Sequence, residues 1–209
     1  MKLYAAPPSP RAFKVRMVID HLGLDAELMP VDIANGATRT PEFAALNPNR
    51  RMPVLDDDGF VLWESNAIMQ YLAAKKPASG LWPTEPRRQD DVSRWQSWEL
   101  AHWDPACGTL IFERFIKKLL GLGEPDAQEI ERSEQRFHAC AAVLDGWLRD
   151  RQWLAGDGLT LADVSVGAWL SCSELGRLPV DGYREIARWQ RALAALPAWQ
   201  SAYVNPLAA

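Results

Sequence analysis

The chain is 209 residues long, 48% apolar, and carries a formal net charge of −4, so it can bury a core in one or two domains. Its Lys and Arg residues are dispersed among Asp and Glu, which excludes a nucleic-acid surface and a basic membrane patch, and no apolar run approaches the roughly 20 residues of a membrane span. The N-terminus enters the strand-like Lys2-Leu3-Tyr4-Ala5 at once, leaving no room for a signal peptide, so the predicted address is the cytoplasm, with neither nucleic acid nor membrane as partner.

After that first strand, Val15, Val18, Ile19 and Leu22 recur at helical spacing and end at Gly23. Glu27 to Val31 reads as a second strand. Thr40-Pro41-Glu42-Phe43 opens a short helix, with Thr at the cap and Pro at the first helical position. Val54-Leu55 and Phe60-Val61-Leu62 flank an Asp-Gly turn and predict a hairpin. The run after Ser65 is again helical, with Ala67, Ile68, Tyr71 and Leu72 apolar. The order β–α–β–α–β–β–α predicts an α/β layer on a small mixed sheet, whose first, parallel pair needs a crossover helix.

Met52-Pro53 stands out, because Pro lacks the donor a sheet ladder needs and belongs at a strand's first residue or an edge. A bend there leaves the N–H and C=O of Met52 open to a peptide laid alongside. Ser65 falls at a helix N-terminus, where unpaired N–H groups and the positive dipole end suit a carboxylate. Together they predict a pocket for a small acidic peptide.

Residues 77–87, with Pro77, Gly80, Pro83 and Pro86, read as a linker, dividing an N-terminal domain of residues 1–76 from an all-helical domain of residues 88–209. A long helical stretch from Arg87 to Leu120 carries Trp95, Trp98, Trp103, Leu110, Phe112 and Phe115, with a bend expected at Pro105. A second helix carries Ile130, Phe137, Val143, Leu144, Trp147 and Leu148. In Thr160-Leu161-Ala162-Asp163 the hydroxyl and the carboxylate can cap the same helix start reciprocally, a short-chain capping box with a structural role. Helices around Tyr183 to Leu193 and Pro197 to Tyr203 complete the half. Cys107, Cys140 and Cys172 are widely spaced and read as small core residues, and no His or Cys cluster has metal-ligand spacing.

Pro7-Pro8-Ser9 after the first strand, Arg51-Met52-Pro53-Val54-Leu55, Glu64-Ser65 and Thr160-Leu161-Ala162-Asp163 together resemble the cytosolic glutathione transferases, in particular their serine-type members, over essentially the whole chain. The resemblance implies a thioredoxin-like N-terminal domain with a cis proline at Pro53, an all-helical C-terminal domain, a homodimer, and glutathione as co-substrate without a metal. It assigns Ser9 as the catalytic hydroxyl and Glu64 and Ser65 as holders of the γ-glutamyl amine and carboxylate. Met52 would pair its backbone with the cysteinyl unit. Arg51 stands where the family often has Gln or Lys, and Arg39 where a Lys meeting the glycyl carboxylate is common.

Glutathione brings two carboxylates, an amine and a thiol, and these residues offer two forked cations, a carboxylate, a helix N-terminus and a hydroxyl. Arg39 and Arg51 can each take a carboxylate in bidentate fashion, or be solvated surface arginines. Ser9 can donate to a thiolate and lower the thiol pKa, or act as an ordinary helix cap ahead of Pro10. Tyr4, inside the strand, reads as a packing residue. The absence of a cysteine near Ser9 argues against family members that attack with a protein thiol. The predicted acceptor is an apolar electrophile in a cleft between the domains, lined by Trp103, Cys107 and Ile111, although core packing would give the same pattern. The expected function is detoxifying conjugation. Reductive cleavage, dehalogenation or isomerisation with glutathione, and a binding module without turnover, are the alternatives.

Overall fold

A computed structural model describes residues 1–6 and 9–204; Pro7 and Pro8 of the Pro7-Pro8-Ser9 motif lie outside the described residues. Contacts divide the chain into two units, one running to Ser79 and taking in the last helix, the other Gly80–Leu196.

In the first unit, strand β1 (Lys2–Ala5) leads into helix α1 (Pro10–Leu22), followed by β2 (Glu27–Pro30), a 3-10 turn (Ala37–Arg39), α2 (Pro41–Leu46), β3 (Val54–Asp57), β4 (Phe60–Trp63) and α3 (Ser65–Ala74). The sheet order is β2-β1-β3-β4. β1 and β2 pair parallel, Leu3 opposite Leu28, and β1–β3 and β3–β4 pair antiparallel. This is the predicted mixed sheet of a thioredoxin-like unit. The two-residue turn at Asp58 (φ 53°) and Gly59 (φ 91°) takes the positive φ angles that a tight hairpin of this twist requires. α1 ends at Gly23 in the left-handed region, where its N–H donates to the Asp20 carbonyl and the Leu24 N–H to that of Ile19, closing the helix.

The last helix, α11 (Pro197–Ala202), belongs with this first unit and corrects the predicted boundary. It packs on α1, with the Trp199 ring meeting Phe13 edge-on at 4.7 Å. The predicted linker is not a separate segment either. Pro77–Ser79 form a 3-10 turn, and Leu81 is buried in the helical unit, its carbonyl accepting the Leu161 N–H at 2.9 Å. Once that chain is sewn down, Pro86 at the first helical position can start a helix directly.

The helical unit begins with α4 (Pro86–Trp98), capped by the Glu85 carboxylate on the N–H groups of Arg87 and Arg88. A π turn (Glu99–Trp103), α5 (Asp104–Ile111), a second π turn (Phe112–Ile116) and the short α6 (Lys117–Leu119) continue the same rod. The expected discontinuity at Pro105 takes the form of that first π turn. Pro105 has no N–H to give, and the Asp104 N–H instead reaches back five residues to the Glu99 carbonyl. Then come α7 (Ala127–Leu148), α8 (Leu161–Gly167), a 3-10 turn (Ala168–Cys172), α9 (Ser173–Gly176) and α10 (Arg184–Ala194).

The capping box at α8 is present in full. Asp163 is completely buried and accepts from the N–H groups of Leu154 (2.8 Å) and Thr160 (3.1 Å), the Thr160 hydroxyl (3.1 Å) and the Trp189 indole (3.0 Å). Burial outweighs these four donors and pushes its pKa up to about 6. Cys107 and Cys172 are buried and Cys140 half-buried, all as free thiols. Among the described residues no group of His, Cys, Asp or Glu is placed to hold a metal ion, and no helix is long and apolar enough to cross a membrane.

Gly176 is a tight contact. A Cβ there would lie 2.6 Å from Ile111 Cγ1 and 3.3 Å from the Ile111 Cα, so α9 meets α5 where a side chain does not fit. Gly176→Ala is expected to lower stability by about 1–3 kcal/mol, several degrees in a thermal unfolding scan for a chain of this size.

Candidate functional site

The site elements belong to the first unit, where three tethers hold them together. The Ala6 N–H faces the Met52 sulfur, joining the chain leaving β1 to the loop before β3. The Lys14 ammonium on α1 donates to the Asn66 amide oxygen on α3 at 2.8 Å. Val31, Phe43 and Val54 form a buried cluster against which Tyr4, Leu46 and Met52 pack, fixing α2 and the loop to the sheet. Tyr4 is therefore a packing residue, as its place in the strand indicates.

Ser9 is the cap of α1. Its backbone N–H donates to the Ala6 carbonyl at 3.2 Å, and its hydroxyl oxygen accepts from the Ala12 N–H at 3.4 Å. A cap of this kind occupies a lone pair and leaves the hydroxyl hydrogen free to donate elsewhere. Capping and thiolate donation are thus compatible in one side chain. A hydroxyl that accepts from a helix N-terminus is also polarised toward donating.

The Met52–Pro53 peptide is cis. Pro53 is buried and opens β3, which starts at Val54 and leaves Met52 outside the ladder; neither its N–H nor its C=O has a hydrogen-bond partner among the described residues. The preceding loop is ordered by a residue the sequence reading overlooked. Asn47, 2% exposed, donates to the Arg51 carbonyl at 2.6 Å, accepts from the Asn49 N–H at 2.9 Å and takes the Arg50 N–H on its own carbonyl. An Asn-Pro-Asn run after a short helix was the signal for such a loop clamp.

Glu64 precedes α3 with φ 70° and ψ 112°, a backbone that a non-glycine residue adopts only at a cost of about 1–3 kcal/mol, and its side chain makes no capping hydrogen bond. This bend leaves Glu64 exposed while Ser65, at the first helical position, is buried to 4% exposure with its hydroxyl unpartnered among the described residues. Arg51, after the α2 loop, and Arg39, just before α2, are both exposed and make no ion pair among the described residues. The unit thus presents an open backbone edge, a hydroxyl donor, a helix N-terminus and two available guanidinium groups.

Trp103, Cys107 and Ile111 require correction. All three side chains are buried in the helical unit's own core, at 0%, 0% and 5% exposure. Trp103 stacks on Trp98 and Phe137 and donates its indole N–H to the Val166 carbonyl at 3.1 Å, while Ile111 fills the space against Gly176. Helical period brings positions 103, 107, 110 and 111 to one face, and here that face is the core seam. Leu100, His102 and Phe112 are among the exposed residues of the same rod.

Comparison with known proteins covers nearly the whole chain. Two family models match: the glutathione S-transferase N-terminal domain over residues 1–74 and the glutathione S-transferase C-terminal domain over residues 102–197. The chain is 36% identical over 207 residues to glutathione S-transferase 3 of Zea mays, covering 96% of this chain and 91% of that relative. Among solved structures, glutathione transferase F7 from Populus trichocarpa superposes with a TM-score of 0.88 at 27% identity, covering 96% of both chains. A glutathione S-transferase-I bound with lactoylglutathione superposes at 0.86, with 26% identity and 97% of both chains covered.

Proposed function

The chain belongs to the glutathione S-transferase family, and from that membership we propose that its first unit binds glutathione, activates the thiol as a thiolate and transfers it to an apolar electrophile. What carries the reading is the open backbone of Met52 at a cis proline, set in one unit with the strained Glu64 and the buried Ser65 at the start of α3.

In this mechanism the cysteinyl unit of glutathione lies antiparallel to Met52 and adds a short strand to the edge that Pro53 leaves open. The α-carboxylate of the γ-glutamyl arm sits on the Ser65 hydroxyl and the first N–H groups of α3, and Glu64 takes the α-amine. Arg51 and Arg39 meet the glycyl carboxylate. Ser9 donates to the sulfur, the thiol proton leaves to solvent, and the thiolate attacks an electrophilic carbon. A carbon–sulfur bond forms while the leaving group departs with its electron pair, or, in an addition, the pair moves to a neighbouring atom and is protonated. The acceptor is an apolar small molecule, and its contacts do not fall on the core residues Trp103, Cys107 and Ile111. The same reading makes the protein a cytoplasmic homodimer with a detoxifying role.

Titration calorimetry with glutathione tests it. The parent chain is expected to bind one glutathione per protomer, and Ser65→Ala and Arg51→Ala are each expected to weaken binding about tenfold, the loss of one charge-assisted hydrogen bond. A parent that does not take up glutathione overturns the proposal.

A further inference from the structure

Asn47 closes α2 at its C-terminal end and is one of the buried polar side chains of the first unit, at 2% exposure. Its backbone N–H donates to the Phe43 carbonyl at 2.9 Å, and Phe43 packs in the core cluster with Val31 and Val54, so the residue has a firm footing. Both ends of the side-chain amide are engaged: Oδ1 accepts from the Asn49 N–H at 2.9 Å and Nδ2 donates to the Arg51 carbonyl at 2.6 Å. The reverse orientation would set oxygen against oxygen, so this pair of contacts fixes which way the amide faces. Between the two contacts Arg50 takes φ 54°, in the left-handed region that a non-glycine residue keeps only when its surroundings hold it there.

The bond to Arg51 reaches the site through one peptide plane. The Arg51 carbonyl and the Met52 N–H share a trans amide, the cis bond being the next one along, and so point in opposite directions. Holding that carbonyl against a buried side chain aims the Met52 N–H away from Asn47, and a hydrogen bond accepted at the oxygen strengthens the N–H as a donor. We propose that Asn47 is a positioning residue for the cysteinyl unit: through the Arg51–Met52 peptide it orients and polarises the Met52 N–H that donates to the cysteinyl carbonyl. The inference rests on the glutathione reading above and deepens it, because it places the rigidity of the open edge in a side chain that does not touch the ligand.

Two ligands separate this role from a general ordering of the loop. An analogue of glutathione with a trans-alkene in place of the cysteinyl-glycine amide keeps the shape, both carboxylates and the thiol, and removes the cysteinyl carbonyl together with the N–H that follows it. In titration calorimetry the parent is expected to bind glutathione about tenfold more tightly than the analogue, the size of one hydrogen bond to a preorganised donor. Asn47→Asp keeps the side chain's shape and the acceptor for Asn49 but sets a carboxylate oxygen against the Arg51 carbonyl. It is expected to shrink the preference to about twofold, by weakening glutathione and leaving the analogue nearly as in the parent. Asn47→Ala should show the same narrowed preference on top of a loss shared by both ligands. A preference equal to the parent's in the folded variants, or equal affinities for the two ligands in the parent, overturns the proposal. A further measurement needs no variant: in a proton–nitrogen correlation spectrum of the parent, the Asn47 side-chain amide is expected to shift on adding glutathione and to hold its position with the analogue. A shift common to both ligands, or none with glutathione, also overturns the role of Asn47. A parent that binds neither ligand takes down the glutathione reading itself.

Discussion

Asp163→Ala is expected to lower stability by about 3 kcal/mol at pH 7. The carboxylate is the common acceptor for the Leu154 and Thr160 N–H groups and the Trp189 indole, all in a water-free interior. An orphaned buried donor costs about 1–3 kcal/mol, and the lost cap adds about 1 kcal/mol. Relief of the carboxylate's own desolvation offsets part of that sum. Because Asp163 has a folded-state pKa of about 6 against 3.8 for an ordinary aspartate, its contribution is fully present below pH 3.8 and is lost as pH rises through about 6. The penalty of Asp163→Ala is therefore expected to be about 2 kcal/mol larger at pH 4.5 than at pH 7. Urea unfolding followed by tryptophan fluorescence at both values measures it. Equal midpoints for parent and variant, or a penalty that grows with pH, would show that Asp163 does not close this helix in the way its geometry indicates.

The Thr160 and Asp163 pair was legible because a capping box is a local device, complete within four residues. Its third partner, Trp189, was not, since nothing near position 163 indicates which of ten tryptophans arrives from α10. The same division runs through the site. Met52-Pro53 and Glu64-Ser65 announce themselves through a proline at a strand start and a hydroxyl at a helix start. Asn47 works within its own loop, whereas Lys14 acts across packed elements, from α1 to α3. Lys14 nevertheless left a trace, as a lysine on the apolar face of α1, where the period of Val18 and Leu22 demands burial. The aromatic rod misled for the opposite reason. Trp103, Cys107 and Ile111 share one face by helical period, and period alone does not tell a core seam from a ligand wall. α11 escaped because Pro197 restarts a helix as it would in any helical bundle, whereas its partner Phe13 lies at the far end of the sequence.

Ser9→Ala is expected to raise the pKa of bound glutathione by about two units, cutting the thiolate fraction at pH 7 roughly 25-fold. The hydroxyl already accepts the Ala12 N–H, so its own hydrogen is the part left for the sulfur, and a hydrogen bond to a charged group of about 1.5–3 kcal/mol corresponds to a shift of that size. Thiolate absorbance against pH reads the shift directly. The rate should fall by less. A less stabilised thiolate is a better nucleophile, and with a Brønsted slope near 0.5 two units return about tenfold, leaving a loss of only a few-fold from ionisation at pH 7. Any further loss at pH 7 measures how well the hydroxyl holds the sulfur in line with the acceptor. Above about pH 10 both proteins carry nearly the full thiolate, the ionisation penalty vanishes, and the variant is expected to match or exceed the parent unless that positioning dominates. The cap itself is a separate loss, about 1 kcal/mol of stability at the start of α1, and Ser9→Thr should restore it together with the low thiol pKa. An unchanged thiol pKa in Ser9→Ala removes Ser9 from the chemistry and leaves it as the helix cap alone.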